Sequence, residues 1–281
     1  MFRHIVFLGL VSTLTISTTV SRTARGAEPE AKKPLPPGTY VFTNGGRTLE
    51  QADEVYRTIP PLKYTPPEKR WKHLPRTKKA LLDGGKLTIV MLGDSIVNDT
   101  SRSGWTKLLN RDFPKTKITL VTAVRGSTGC WWYKEDDRVR ACVLDHEPDL
   151  LIIGGISQRG DIDSIHEVIR QVRRHSKADI LLMTGAFGTV DPRDPKQWRY
   201  EIDTTTDNYR ANLRKLAEET ECGFLDMRAA WGRYIRESGK KLDWFHRDPV
   251  HANARGEQII GRILKRFLTP STSEPQGAAQ E

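Results

Sequence analysis

Leu87-Thr88-Ile89-Val90-Met91-Leu92-Gly93-Asp94-Ser95 runs almost unbroken through apolar side chains and ends on a glycine, an acid and a hydroxyl. A half-exposed strand alternates apolar with polar residues, whereas a near-continuous apolar run of this length is what a strand buried on both faces requires. Working outward, similar runs recur at Ile118–Val124, Leu150–Ile153, Ile180–Thr184 and Gly223–Asp226. Helical periods lie near 104–112, 134–145, 161–176, 205–221, 228–238 and 253–268. This strand–helix alternation predicts a parallel sheet with helices on both faces, and in such sheets ligands bind beyond the carboxyl ends of the strands. The chemistry should therefore reside in reactive residues that closely follow a strand.

Gly93-Asp94-Ser95 meets that condition. Glycine allows a sharp turn, and Ser95 would project its hydroxyl from the ligand edge of the sheet. A serine hydroxyl needs a base within hydrogen-bond reach to act as a nucleophile, and histidine titrates near neutrality. The chain has seven histidines: His4, His73, His146, His166, His175, His246 and His251. Only His251 sits in Asp248-Pro249-Val250-His251, just ahead of the last helical period. A carboxylate three residues before the imidazole, in a proline-stiffened loop, can fold back to orient the ring and stabilise its charged form. Each segment alone also reads as an ordinary capping loop; the pair is far more specific.

Together these segments resemble the SGNH/GDSL hydrolases, a family of esterases, lipases, thioesterases and carbohydrate deacetylases, over roughly residues 85–268. The resemblance implies a three-layer α/β/α fold with a flavodoxin-like, five-stranded parallel sheet. It also implies Ser95 as nucleophile, His251 as base, Asp248 as the orienting acid, and no cofactor. Family members bind the oxyanion through backbone at the nucleophile and at a glycine after the second strand, matched here by Ser95 and Gly126. The usual Gly-x-Asn-Asp block after the third strand is replaced by Gly154-Gly155-Ile156-Ser157-Gln158-Arg159. Ser157 stands where the asparagine amide would donate, which leaves three outcomes: the Ser157 hydroxyl donates, Gln158 or Arg159 reaches in, or the hydrolase is weak or inactive. Loss of one such donor typically costs about 10²–10³ in rate.

Trp131, Trp132 and Trp244 flank these blocks and read either as sugar-stacking faces or as loop anchors. Asn98 and Gln158 are further candidates for substrate contact; Asn98 and Asp99 read as starting the helix that follows, and Asp94 as structural. His246, Asp248 and His251 do not have a recognised zinc spacing, so no metal is expected. The expected activity is hydrolysis of an ester, an O-acyl group on a small-molecule or polysaccharide substrate, through an acyl-enzyme. The alternatives are a lipid or aryl esterase, an acyltransferase with the same triad, and a non-catalytic carbohydrate-binding member of the fold.

At 281 residues the chain accommodates one sizeable α/β domain with extensions. Residues 1–26 read as an export signal, with a basic start, the apolar run Ile5–Leu10 and small residues at Ala24 and Gly26, which predicts a secreted or periplasmic protein. Its apolar core is diluted by Ser12, Thr13, Thr15 and Ser17–Thr19, and no other stretch spans a membrane. Residues 27–38 form a proline-rich linker, 39–83 an irregular extension packed on the domain, 84–268 the esterase-type domain and 269–281 a disordered tail. The formal charge is +10, about +7 once Arg3, Arg22 and Arg25 leave with the signal. No arginine-rich tract with interleaved aromatics points to nucleic acid. The charge reads as a solvated surface, with a preference for polyanions as the other reading. Cys130, Cys142 and Cys222 fit either one disulfide with a leftover thiol or three buried thiols.

Overall fold

The protein was analysed as a computed structural model, which describes residues 34–186, 190–196 and 208–270. The expected signal, most of the linker, the first residues of the 205–221 period and most of the tail lie outside them. Among the described residues no helix is long and apolar enough to cross a membrane.

Six strands form one sheet: β1 (Thr39–Thr43), β2 (Gly85–Gly93), β3 (Thr116–Arg125), β4 (Leu150–Ile153), β5 (Asp179–Met183) and β6 (Gly223–Leu225), in the order β1-β3-β2-β4-β5-β6. Strands β2 to β6 are mutually parallel and make the doubly wound core. The expected count of five is corrected to six, because β1 adds antiparallel to the outer edge of β3, Thr39 opposite Arg125 and Thr43 opposite Val121.

The buried strands divide their side chains between two cores. Leu87, Ile89 and Met91 of β2 face one core and Val90 and Leu92 the other, the period-two geometry of a strand turning a continuous apolar run into two packed faces. The first core is closed by α7 (Met227–Ser238) and α8 (Ala254–Phe267), through Trp231, Ile235, Ile259, Ile260 and Ile263. The second is closed by α5 (Ile162–His175) and α6 (Asn208–Glu219), through Ile165, Val168, Ile169 and Leu213. Full burial of one such aliphatic side chain contributes about 1.5–3 kcal/mol.

The extension is more regular than expected. After β1 it holds α1 (Leu49–Arg57), started by a capping box in which Thr48 and Gln51 exchange hydrogen bonds, and α2 (Pro75–Asp83), with proline at its first position. Between β2 and β3 lie α3 (Ser95–Arg102) and α4 (Trp105–Asp112), so the helix expected at 104–112 has a partner that begins at Ser95 itself. The helix expected over 134–145 is instead broken into single turns at Cys130–Tyr133 and Arg138–Cys142, with Asp136 and Asp137 in the left-handed region between them.

Candidate active site

Register sets the rim. Gly93 of β2 pairs with Val124 of β3, and Leu92 with Ile153 of β4, so the three central strands end level. Ser95, Gly126 and the loop from Gly154 therefore leave the sheet at one edge, where β3 and β4 diverge from β2, the switch point of a doubly wound sheet. The turn after β2 is tight: a Cβ on Gly93 would fall 2.6 Å from the Gly154 carbonyl oxygen. The Tyr133 hydroxyl donates to the Gly93 carbonyl at 2.7 Å within the interior.

Ser95 opens α3, and Asp94 before it is fully buried. The Asp94 carboxylate accepts the backbone N–H of Ile96 at 2.9 Å and those of Ile156 and Ser157 at 2.7 Å each. One acid thus caps the helix that carries Ser95 and gathers the β4 loop around it. Gly155 makes room, at φ +98° with its missing Cβ aimed 2.6 Å from that carboxylate.

The imidazole arrives from the other end of the chain. His251 Nε2 lies 2.8 Å from Ser95 Oγ, and Nδ1 lies 2.8 and 2.9 Å from the two Asp248 oxygens. With the Nδ1 proton given to Asp248, Nε2 is left to accept from the serine hydroxyl. The Asp248 carboxylate also accepts the Val250 N–H at 3.0 Å and the His251 N–H at 2.9 Å. Those bonds, led by the Val250 N–H, hold its pKa down at about 2. The loop is closed beneath by a small antiparallel bridge, His246 with Ala252, with the Arg247 N–H donating to the His251 carbonyl at 3.0 Å and the Asn253 N–H to Phe245 at 2.9 Å.

Asp99 links the two sides. It sits one helical turn after Ser95, fully buried, and accepts the Ala252 N–H at 3.0 Å and the Arg247 guanidinium at 3.0 Å. Arg247 also donates to the Ala252 carbonyl and approaches buried Glu257 of α8 at 3.9 Å; Glu257 in turn pairs with Arg47. Burial pushes the Asp99 carboxyl up, opposed by Arg247. A hydrogen-bonded line from carboxylate to imidazole to hydroxyl at the ligand edge of a sheet can move a serine proton and carry the charge that results.

The family model of the GDSL-like lipase/acylhydrolase family matches residues 91–259, more than half of the chain. The chain belongs to that family. No curated protein sequence is a significant match. Among solved structures, the GDSL hydrolase is similar to a two-domain esterase active on acetylated mannans, at 17% identity and a TM-score of 0.58, over 75% of this chain and 57% of that one. It thus spans little more than half the length of that protein. It is also similar to an acetyl xylan esterase from Geobacillus stearothermophilus, at 19% identity and TM-score 0.53, over 66% and 95% of the two chains. An α/β hydrolase from the metagenome of Lake Arreo, Spain, follows at 18% and 0.51, over 66% and 98%. At these identities the likeness is one of fold.

The remaining candidate residues of this hydrolase separate into those near the line and those committed elsewhere. Gly126 follows β3 directly, level with Ser95, and nothing lies within 4 Å of where its Cβ would be. Ser157 gives its N–H to Asp94 and its carbonyl to the Trp131 indole N–H at 3.1 Å, leaving its hydroxyl uncommitted among the described residues. Gln158 is corrected from a substrate candidate to a clamp: it is buried, its carbonyl oxygen accepts the Cys130 N–H and its amide donates to Gly154, both at 2.9 Å. Asn98 is half-buried on α3, and among the described residues its side-chain amide has no hydrogen-bond partner.

The three tryptophans are not bare faces. Arg159 lies 4.2 Å over Trp131, Arg125 and Arg138 lie 5.0 and 4.0 Å over Trp132, and Arg255 and Lys240 lie 4.5 and 5.2 Å over Trp244. Trp132 additionally packs against the second core. Asp99 is the residue that sequence reading missed, taken only as a helix starter. Among the described residues no group of three or more His, Cys, Asp or Glu is placed to hold a metal ion. His246 lies flat against Trp231, rings 6.0 Å apart, and burial lowers its pKa to about 4. All three cysteines are free and buried, which resolves the open choice in favour of thiols.

Proposed function

We propose that this chain is an exported carbohydrate esterase that removes an O-acyl group, acetate by preference, through an acyl-enzyme on Ser95. The observation that carries the reading is the 2.8 Å contact from His251 Nε2 to Ser95 Oγ, with Nδ1 held by Asp248. As Oγ attacks the ester carbonyl carbon, its proton passes to Nε2, and the imidazolium is stabilised by Asp248 without transfer of that proton. The tetrahedral oxyanion would lie against the Ser95 and Gly126 backbone N–H groups, with the Ser157 hydroxyl as third donor in place of the family's asparagine. Collapse breaks the bond to the sugar oxygen, which leaves with the proton from Nε2. Water then attacks the acyl-serine, giving a proton to the same nitrogen, and releases the acid and free Ser95. The structural neighbours that act on acetylated mannan and xylan support a sugar ester over a lipid, and the N-terminal sequence supports export.

A fluorophosphonate probe together with acetate release from acetylated xylan, mannan and aryl esters tests the reading. The probe should modify wild type at one site and fail on Ser95→Ala, and acetate release should fall by about 10⁵–10⁶ in that variant. Undiminished release by Ser95→Ala would end the proposal.

A further inference from the structure

Trp131 and Trp244, tied by hydrogen bonds to the Ser157 and Asn253 segments, have cations on their faces. On the Ser95 side, Asp94 binds the Ser157 N–H, the Ser157 carbonyl fixes the Trp131 indole, and Arg159 stacks on that ring. The loop that presents Arg159 is pinned by buried Gln158, and Arg159 itself is exposed and held at φ +56°. On the His251 side, the Asn253 amide donates to the Trp244 carbonyl at 3.0 Å, and Arg255 and Lys240 lie against the Trp244 ring. Among the described residues Arg159, Arg255 and Lys240 have no carboxylate partner, whereas Arg247, beneath the loop, is neutralised by Asp99 and Glu257.

Stacking on an aromatic face orients a guanidinium while leaving its edge N–H groups free to donate, and a planar fork suits carboxylate and sulfate oxygens. Two such forks, one on the loop after β4 and one in the first turn of α8, with no carboxylate partner among the described residues, are an arrangement for reading negative charge on a chain that crosses the site. The formal charge, +10 over the full sequence and about +7 once the expected signal has left, adds a long-range field of the same sign.

We propose that the ester is carried by an anionic glycan, and that Arg159 on Trp131 and Arg255 on Trp244 bind its carboxylate or sulfate groups on the Ser95 and His251 sides. This rests on the carbohydrate-esterase reading and narrows its substrate class. The cation-covered rings recognise charge, and the sugar faces are not stacked on bare indole.

Binding to the Ser95→Ala protein tests this without turnover. Calorimetry would compare an oligogalacturonate, a sulfated xylo-oligosaccharide and a neutral xylo-oligosaccharide of equal length, at about 20 mM and about 300 mM NaCl. The expected result is binding of at least one anionic oligomer about tenfold tighter than the neutral one at low salt, shrinking to within about twofold at high salt. The arm that shows the preference identifies the anion. Adding Arg159→Gln or Arg255→Gln should each lower the anionic-to-neutral ratio by about threefold to fivefold, and Arg159→Lys should restore part of it; thermal melting of each variant checks that the fold is kept. Equal affinity for the three oligomers, no measurable binding of either anionic one, or a ratio that survives both glutamine substitutions would overturn the inference. Fluorophosphonate capture at Ser95 is indifferent to glycan charge, so labelling with no anionic preference refutes this inference and leaves the esterase reading standing.

Discussion

Asp94 and Asp99 are both fully buried acids near the start of α3, and each fixes one side of the site, yet they work through different partners. Asp94 binds three backbone N–H groups, two of them on the β4 loop. Asp99 binds one backbone N–H and one guanidinium, both on the loop that carries His251. Backbone donors cannot leave when the acceptor is removed, whereas Arg247 can turn to Glu257 or to water. The Asp94 side should therefore fail as structure and the Asp99 side as alignment.

The widest separation is expected at Asp94→Ala, which strands three N–H groups, one beside Ser95 and two on the β4 loop. We expect a loss of about 3–5 kcal/mol in urea unfolding, and a loss below about 1 kcal/mol would erase the contrast. Asp99→Asn keeps an oxygen for Ala252 but releases Arg247. Its kcat should fall about 10-fold to 100-fold with KM nearly constant, for a stability cost of only about 1–2 kcal/mol. A fall in kcat that tracked lost folded fraction would show Asp99 to be structural like its neighbour.

A third, smaller effect comes from His246 at the base of the same loop. Its folded pKa of about 4 lies below the ordinary 6.5, so between those values the unfolded chain binds more protons than the folded one. Stability should therefore fall as pH drops from about 6.5 to about 4 and level off below, by about 1–3 kcal/mol in total. His246→Phe, which keeps a ring against Trp231, should flatten that slope in melts recorded across the window. The smallest effect is expected from reductant. Burial pushes the Cys142 thiol up to about 12 and raises Cys130 and Cys222 as well, and none is bonded. Since a native disulfide is worth about 2–5 kcal/mol, adding dithiothreitol should move Tm by less than about 1 °C, and a larger drop would reveal a crosslink.

The two acids also mark how far the sequence could be read. Asp94 lies in a three-residue signal behind an apolar run, and its role follows from position alone. The strand β2 and the Asp248–His251 spacing were legible for the same reason, since their physics is local. Asp99 was not, because its partners stand 148 and 153 residues away and give no pattern around it. Gln158 was read as a substrate candidate and the three tryptophans were left open between sugar faces and loop anchors, because their neighbours Cys130, Arg159, Arg125 and Arg255 come from separate elements whose approach depends on the finished fold. Strand β1 falls in the extension read as irregular, and its short half-exposed pattern gave no reason to place it in the sheet.

That added strand has a consequence beyond the chemistry. Without it, the ten residues of β3 would form the outermost ribbon of the sheet with one row of amides and carbonyls facing water. Such a margin invites strand addition from another copy. A chain trimmed back to Gly85 would keep Ser95, Asp248 and His251 while exposing this adhesive border, and its decline would follow protein concentration more closely than pH. Residues upstream of the first βα unit thus act as a selvedge, covering the carboxyl-terminal half of β3 as far as Arg125, next to the rim where Gly126 leaves the sheet.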